Sequence, residues 1–124
     1  SNRLNKDHVS PPKWFNSGSR KYNILHARLR MLCSPLNDHL YSHIHVVDSP
    51  ACPCGHEREN NKHYFMDCPL YDTARQTLFN SLQQIGFECT LVNLLYGSAA
   101  YSVNKNSQAF NLIQEFIENS GRFE

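Results

Sequence analysis

The chain of 124 residues lacks any apolar run approaching the ~18 residues of a membrane-spanning helix, and no charged, apolar, small-residue leader opens it. Those absences argue against membrane insertion and secretion and point to an intracellular protein. Glycine is scarce, with five in the chain, and none is grouped into a loop that could cradle a phosphate. Carboxylates are not clustered either. Asp67 and Asp72 have no strand pattern near them to bring up a third, so a two-metal polymerase centre is not encoded. Alternating strand patterns are missing apart from Ile44–Val47 and the pair Tyr64-Phe65. Five cysteines are an odd number and leave one thiol over in any all-disulfide scheme, which speaks against an oxidised extracellular scaffold. No initiating Met precedes Ser1-Asn2, so the chain reads as a piece of a longer polypeptide.

What the sequence does contain is the run CPCGHERENNKHYFMDC. It places Cys52, Cys54, His63 and Cys68 at a C-x-C-x8-H-x4-C spacing. Three thiolates and an imidazole satisfy the tetrahedral demand of zinc with no position left for water or substrate, so the spacing predicts a structural metal. Pro53 and Gly55 favour a tight chelating turn between the first two thiols. Residues five apart on an ideal helix lie about 140° round its axis, so a helix carrying both His63 and Cys68 must break near Cys68, where Pro69 supplies the break. His56 is a rival for the imidazole position, and Cys33, His43 and His45 could approach from the preceding segment. Below about pH 6 protonation of the ligands should loosen the metal.

Charge is divided unevenly. Residues 1 to 30 hold seven Lys and Arg against Asp7 alone, whereas the rest of the chain holds five against ten carboxylates. Clustered cations attract phosphate, and Lys13, Arg20, Lys21, Arg28 and Arg30 are the candidate nucleic-acid contacts; the plain alternative is a solvated basic arm. Pro11-Pro12 and Asn16–Ser19 predict an extended basic arm over residues 1–20, anchored by Trp14-Phe15, followed by a helical metal-binding domain over 21–124. An aromatic pair in such an arm either stacks on bases or docks on the core, and its large apolar area favours the core.

Helical periodicity governs the remainder. Leu25, Leu29 and Leu32 form one stripe, with His26 and Arg30 four apart on what should be an exposed charged side. Ser34-Pro35 predicts the start of a second helix with Leu36, Leu40 and Ile44 in register. His39 and His43 lie four apart on it, either a polar face or half of a second metal site. Leu70, Ala74, Leu78, Leu82 and Ile85 define a third helix closed by Gly86. Thr90 caps a short one ending at Gly97. The last starts near Asn106, turns Phe110, Ile113, Phe116 and Ile117 inward and stops at Gly121. The expected fold class is all-α, a small helical domain with a CCHC zinc-bound loop.

The stretch ILHARLRMLCSPLNDHLY, followed by DSPACPCGHERENNKHYFMDCPLY, resembles the C-terminal zinc-binding region of reverse transcriptases from LINE-type non-LTR retrotransposons. LLYG and the closing FIENSGRF are similar to the ends of such polyproteins. The resemblance implies that Cys52, Cys54, His63 and Cys68 hold Zn2+. It further implies that the segment follows a reverse transcriptase domain, helps it hold RNA or target DNA during target-primed reverse transcription, and works in the nucleus after a cytoplasmic ribonucleoprotein stage. It implies no catalysis in this segment. Two other roles compete: a module that packs on the polymerase core or recruits a host factor, and a hydrolytic site in which a three-ligand zinc activates water beside His56 or Glu57.

Overall fold

The computed structural model describes residues 10–124. Among them no strand occurs, and the chain is all-α. The helices are α1 (Arg20–Arg30), α2 (Asn37–His39, running into a π turn Leu40–Ile44), α3 (Asp72–Gln84), α4 (Leu91–Tyr96) and α5 (Val103–Ser120). A 3-10 turn at Lys13–Asn16 precedes α1, and a π turn at His63–Asp67 and a 3-10 turn at Pro69–Tyr71 precede α3.

The bundle is organised around α5, against which α1, α3, α4 and the Lys13–Asn16 turn all pack. Ser102 caps α5, its hydroxyl accepting from the Lys105 amide at 3.0 Å. Ala109, Phe110, Ile113, Phe116 and Ile117 recur at three and four residues and are buried, so two sides of the helix face neighbours. Phe116 meets Tyr64, Phe65 and Tyr71, and Phe110 meets His26 and Phe15. One aromatic layer thus joins α5 to the metal-loop side, and the other joins it to α1. Thr90 caps α4 through the Asn93 amide at 3.1 Å. Gly97, at φ 67, ends α4 where a Cβ would lie 2.4 Å from Trp14 Nε1, so only glycine permits the aromatic to close over the turn.

The expected basic arm of residues 1–20 falls partly outside the described residues. Its described part is fastened to the core. Trp14 is buried and donates its indole N–H to the Tyr96 carbonyl at 2.9 Å, and Phe15 stacks on Phe110. The core reading of the aromatic pair is the one the structure bears out. Residues 13–16 are a helical turn rather than extended chain, because burying two adjacent rings on α5 requires the backbone to curl.

Two helical readings need correction. In α1 the helix ends at Arg30 and Leu32 takes a left-handed backbone, φ 59, leaving its side chain exposed, so only Leu29 of the expected stripe is fully buried. The buried side also contains His26 and Arg30, the two residues expected to face water. His26 Nε2–H donates to the Leu94 carbonyl at 2.8 Å, and the Gln114 amide reaches its Nδ1 at 3.4 Å. Arg30 Nε donates to the Leu95 carbonyl at 2.6 Å while its guanidinium lies over the Phe15 ring at 3.9 Å. Charge alone suggested an outer face, but the open carbonyls at the end of α4 select these two donors as inner partners.

In α2 the expected Ser34 cap is replaced by tertiary capping. Leu36 occupies the cap position, and the Asn37 amide donates to the Glu59 carboxylate at 2.8 Å. Ile44 is exposed because the helix widens into its π turn. Leu70 is exposed as well, since α3 begins at Asp72 after a separate 3-10 turn in which Tyr71 turns inward.

Burial lowers the His26 pKa from 6.5 to about 4, with the Leu94 carbonyl opposing and Arg30 adding to the shift. A depressed imidazole pKa contributes stability that is present above pH 6.5 and is lost as pH falls toward 4, about 3 kcal/mol in all. Urea unfolding across this window should therefore show a shallower pH slope in His26→Asn than in the wild type; equal slopes would refute the assignment.

Candidate metal centre

Four potential ligands are brought together by two short pieces of backbone. The first is a turn: the Gly55 amide donates to the Cys52 carbonyl at 2.9 Å, Pro53 occupies the position where its fixed φ is required, and Gly55 has φ 103. The Cys52 amide donates in turn to the His56 carbonyl at 2.9 Å, closing the loop on itself. Both thiols of the C-x-C pair thereby point to one side.

The second piece is the π turn His63–Asp67. Its i to i+5 hydrogen bond runs from the Cys68 amide to the His63 carbonyl at 2.7 Å, which sets His63 and Cys68 one wide turn apart on the same face. An ordinary α-helix would have kept them about 140° apart. The break at Pro69 is present, with Cys68 extended before it, but the wider turn does the alignment. Asn60 starts this segment, its side-chain oxygen accepting from the His63 amide at 2.9 Å.

Cys52 Sγ and Cys68 Sγ are 3.7 Å apart, Cys54 Sγ and His63 Nε2 are 3.2 Å apart, and all four atoms lie within 4.8 Å of one another. A tetrahedral ion with metal–sulfur bonds of about 2.3 Å places two sulfurs about 3.8 Å apart and a sulfur and nitrogen about 3.6 Å apart. The cluster therefore fits one small divalent ion. It does not fit a disulfide, whose sulfurs would be bonded at about 2.05 Å, and all five cysteines are free.

His56 is not a member of the group. Its ring stacks face to face on His63 at 4.2 Å and 5°, holding the ligand ring in orientation while His63 Nδ1 lies buried without a hydrogen-bond partner. Cys33, His43 and His45 are exposed and also stand outside the cluster.

A buried arginine, a half-buried one and a fully buried carboxylate support the cluster from behind. Arg75, on α3, donates to the carbonyls of Phe65 at 2.9 Å, Cys68 at 2.7 Å and Tyr64 at 3.3 Å, satisfying the open end of the π turn. Glu59 is fully buried beside Cys52, with its carboxylate 4.0 Å from that sulfur. Arg122 from the C-terminal tail grips Glu59 through two N–H groups at 2.6 and 2.7 Å and reaches the Pro35 carbonyl at 3.0 Å. Through the Asn37 amide the same carboxylate also caps α2. Sequence spacing gave no sign of Glu59, Arg75 or Arg122; only the fold shows that one carboxylate joins the loop, α2 and the tail.

Electrostatics of the four groups suit a cation between them. Burial pushes the Cys52 thiol up to about 12 and raises Cys68 as well, whereas a backbone N–H at His56 lowers Cys54. Burial, with a smaller contribution in the same sense from the neighbouring His56 ring, lowers His63 and favours its neutral imidazole. Without an ion the two buried thiols hold their protons; a divalent charge between them reverses the preference and releases protons on binding.

The candidate cations are distributed differently. Lys13, Arg20, Lys21 and Arg28 are exposed, Lys21 in a surface ion pair with Glu124 at 3.1 Å. Arg20 and Arg28 make no ion pair among the described residues. Arg30 is buried against Phe15 and Leu95 and is not available to a phosphate, which corrects its place among the expected contacts. No helix among the described residues is long and apolar enough to cross a membrane. No protein-family model, no curated protein and no solved structure matches the chain.

Glu59→Ala should leave the Arg122 guanidinium without its carboxylate and cost about 3–5 kcal/mol in urea unfolding. A double variant that also removes Arg122 should recover part of that loss; simple additivity of the two changes would show that the pair is not coupled. Metal affinity should rise with pH between 6 and 8, roughly in proportion to the protons displaced, and an affinity flat across that range would mean that the thiols are not the ligands.

Proposed function

We propose that the chain is a non-catalytic, zinc-stapled nucleic-acid-binding domain from the C-terminal end of a retrotransposon reverse transcriptase. In this reading it acts in the nucleus to help an upstream polymerase domain hold RNA template or target DNA. Zinc is the ion favoured by three sulfurs and one imidazole at tetrahedral spacing. With four protein ligands the ion has no open position, so the role is to hold the loop rather than to activate water.

The observation that carries the binding reading is the outer face of α1. Arg20, Ile24 and Arg28 recur at four-residue intervals and are all exposed, while the opposite side is locked inward by His26, Leu29 and Arg30. The two arginines are separated by about 12 Å along the axis, a span of several phosphates on one strand. Arg20 and Lys21 also stand in the first turn of α1, which has no acidic residue of its own, although Glu124 pairs with Lys21 there. Cations at that end add to the dipole and favour an anion outside it. Contact of this kind is with phosphate and is largely independent of sequence.

A second reading is a protein-docking module. It is favoured by the exposed apolar side chains Met31, Leu32, Tyr41, Ile44 and Val46, which fall between the end of α1 and the residues just after the π turn of α2. A polymerase core or host factor would be the occupant.

Titration of the zinc-loaded protein with RNA and with duplex DNA separates the two. Neutralising two or three phosphates predicts a loss of affinity of roughly ten- to forty-fold between about 50 and 200 mM salt. Arg20→Ala and Arg28→Ala should each weaken binding and lower the salt slope by about one. Absence of binding at low salt would leave the docking reading in its place.

A further inference from the structure

A cleft of about 110 Å³ lies between the residues that follow α1 and the π turn of α2, outside the metal centre. Its walls include Leu32, Asp38, His39, His43, Asn60 and Asn61. The metal loop supplies one wall, because Asn60 begins the π turn that carries His63 and Asn61 ties that wall to α1 through the Leu29 carbonyl at 2.8 Å. The volume suits a single heterocyclic ring system rather than a whole nucleotide or a drug-sized ligand.

The cleft is supplied with the groups that a base requires. His39 and His43 set their rings 5.0 Å apart on one helical face, and His39 Nδ1 is buried with no partner inside the protein. Asn60 spends only its amide oxygen on the fold and Asn61 only its amide nitrogen, so one donor and one acceptor are left over at adjacent positions. A base edge offers the complementary pair. Arg58 is held on Asp38 in an ion pair and is exposed, which puts a cation at the mouth. Leu32 holds a strained left-handed backbone there, φ 59, with its side chain exposed.

We propose that this cleft accepts one unpaired base of a single strand. The base stacks on the His39 and His43 rings and bonds to Asn60 and Asn61, and Arg58 meets the adjacent phosphate. The inference rests on the nucleic-acid reading above and adds to it a preference for single strands over duplexes. Duplex bases stay stacked and cannot enter, whereas cations on α1 serve both forms.

The test is a pair of titrations of the zinc-loaded chain, one with a single-stranded RNA and one with its duplex of equal length. The quantity read is the ratio of the two affinities. A ratio above one that falls about tenfold in His43→Ala, and is kept in His43→Phe, supports the cleft. Arg28→Ala should weaken both affinities together and leave the ratio unchanged. A ratio unaltered in a His43→Ala protein of native helicity overturns the proposal. Salt-sensitive binding with no preference for single strands overturns it alone, and no binding of either probe overturns both it and the proposed function. Should His43→Ala fail to fold, imidazole NMR of the wild type with adenosine monophosphate decides: shifts at His39 and His43 support the cleft, and their absence refutes it.

Discussion

The structure depends on the meeting of two short turns at one point. A proline–glycine turn aims Cys52 and Cys54, and a π turn, packed through Tyr64 and Phe65 against Phe116, aims His63 and Cys68. Burial alone works against them, since it keeps the Cys52 and Cys68 thiols protonated where a ligand must be charged. In the zinc reading proposed above, an ion with two positive charges resolves the conflict by stabilising the thiolates and cross-linking the loop to the entrance of α3. Apparent zinc affinities of small zinc peptides, ~10–16 kcal/mol, are as large as the whole net stability of a domain. On that reading metal binding and folding are one equilibrium.

Around that point the polar groups are spent with little left over. Glu59 serves as α2 cap and Arg122 partner and stands next to Cys52, while Arg75 closes three carbonyls of the ligand-bearing turn. A second polar seam of His26, Arg30 and Gln114 fixes α1 to α4 and α5. Its consequence for function is directional. With His26 and Arg30 of α1 drawn inward, Arg20 and Arg28 are left facing solvent on a helix whose orientation the core defines.

The four clustered residues were legible in the sequence because three cysteines and a histidine fall at short, metal-like spacing, although seven histidines left rivals for the imidazole position. α3, α4 and α5 were legible from periodicity and caps, with Thr90, Gly97 and Gly121 at their expected places, but α3 starts two residues after Leu70 and α5 three residues before Asn106. α1 and α2 were only half legible. A pattern of charge and apolarity cannot tell that Arg30 will be drawn to the Leu95 carbonyl and the Phe15 ring, because those partners lie 65 residues ahead and in the preceding arm. The start of α2 was misplaced for a similar reason, its cap arriving from Glu59, 22 residues away. The π turns were hidden because a helix is read at an ideal pitch, and a hydrogen bond reaching one residue further moves Cys68 onto the face of His63.

X-ray absorption at the zinc edge of the purified chain, recorded with its metal-to-protein ratio, tests the central claim most directly. The account predicts one zinc per chain with three sulfurs at about 2.3 Å and one nitrogen at about 2.0 Å, together with loss of helicity when the ion is removed by a chelator. A chain that is fully helical without metal, or a zinc with water in its inner coordination sphere, would contradict it.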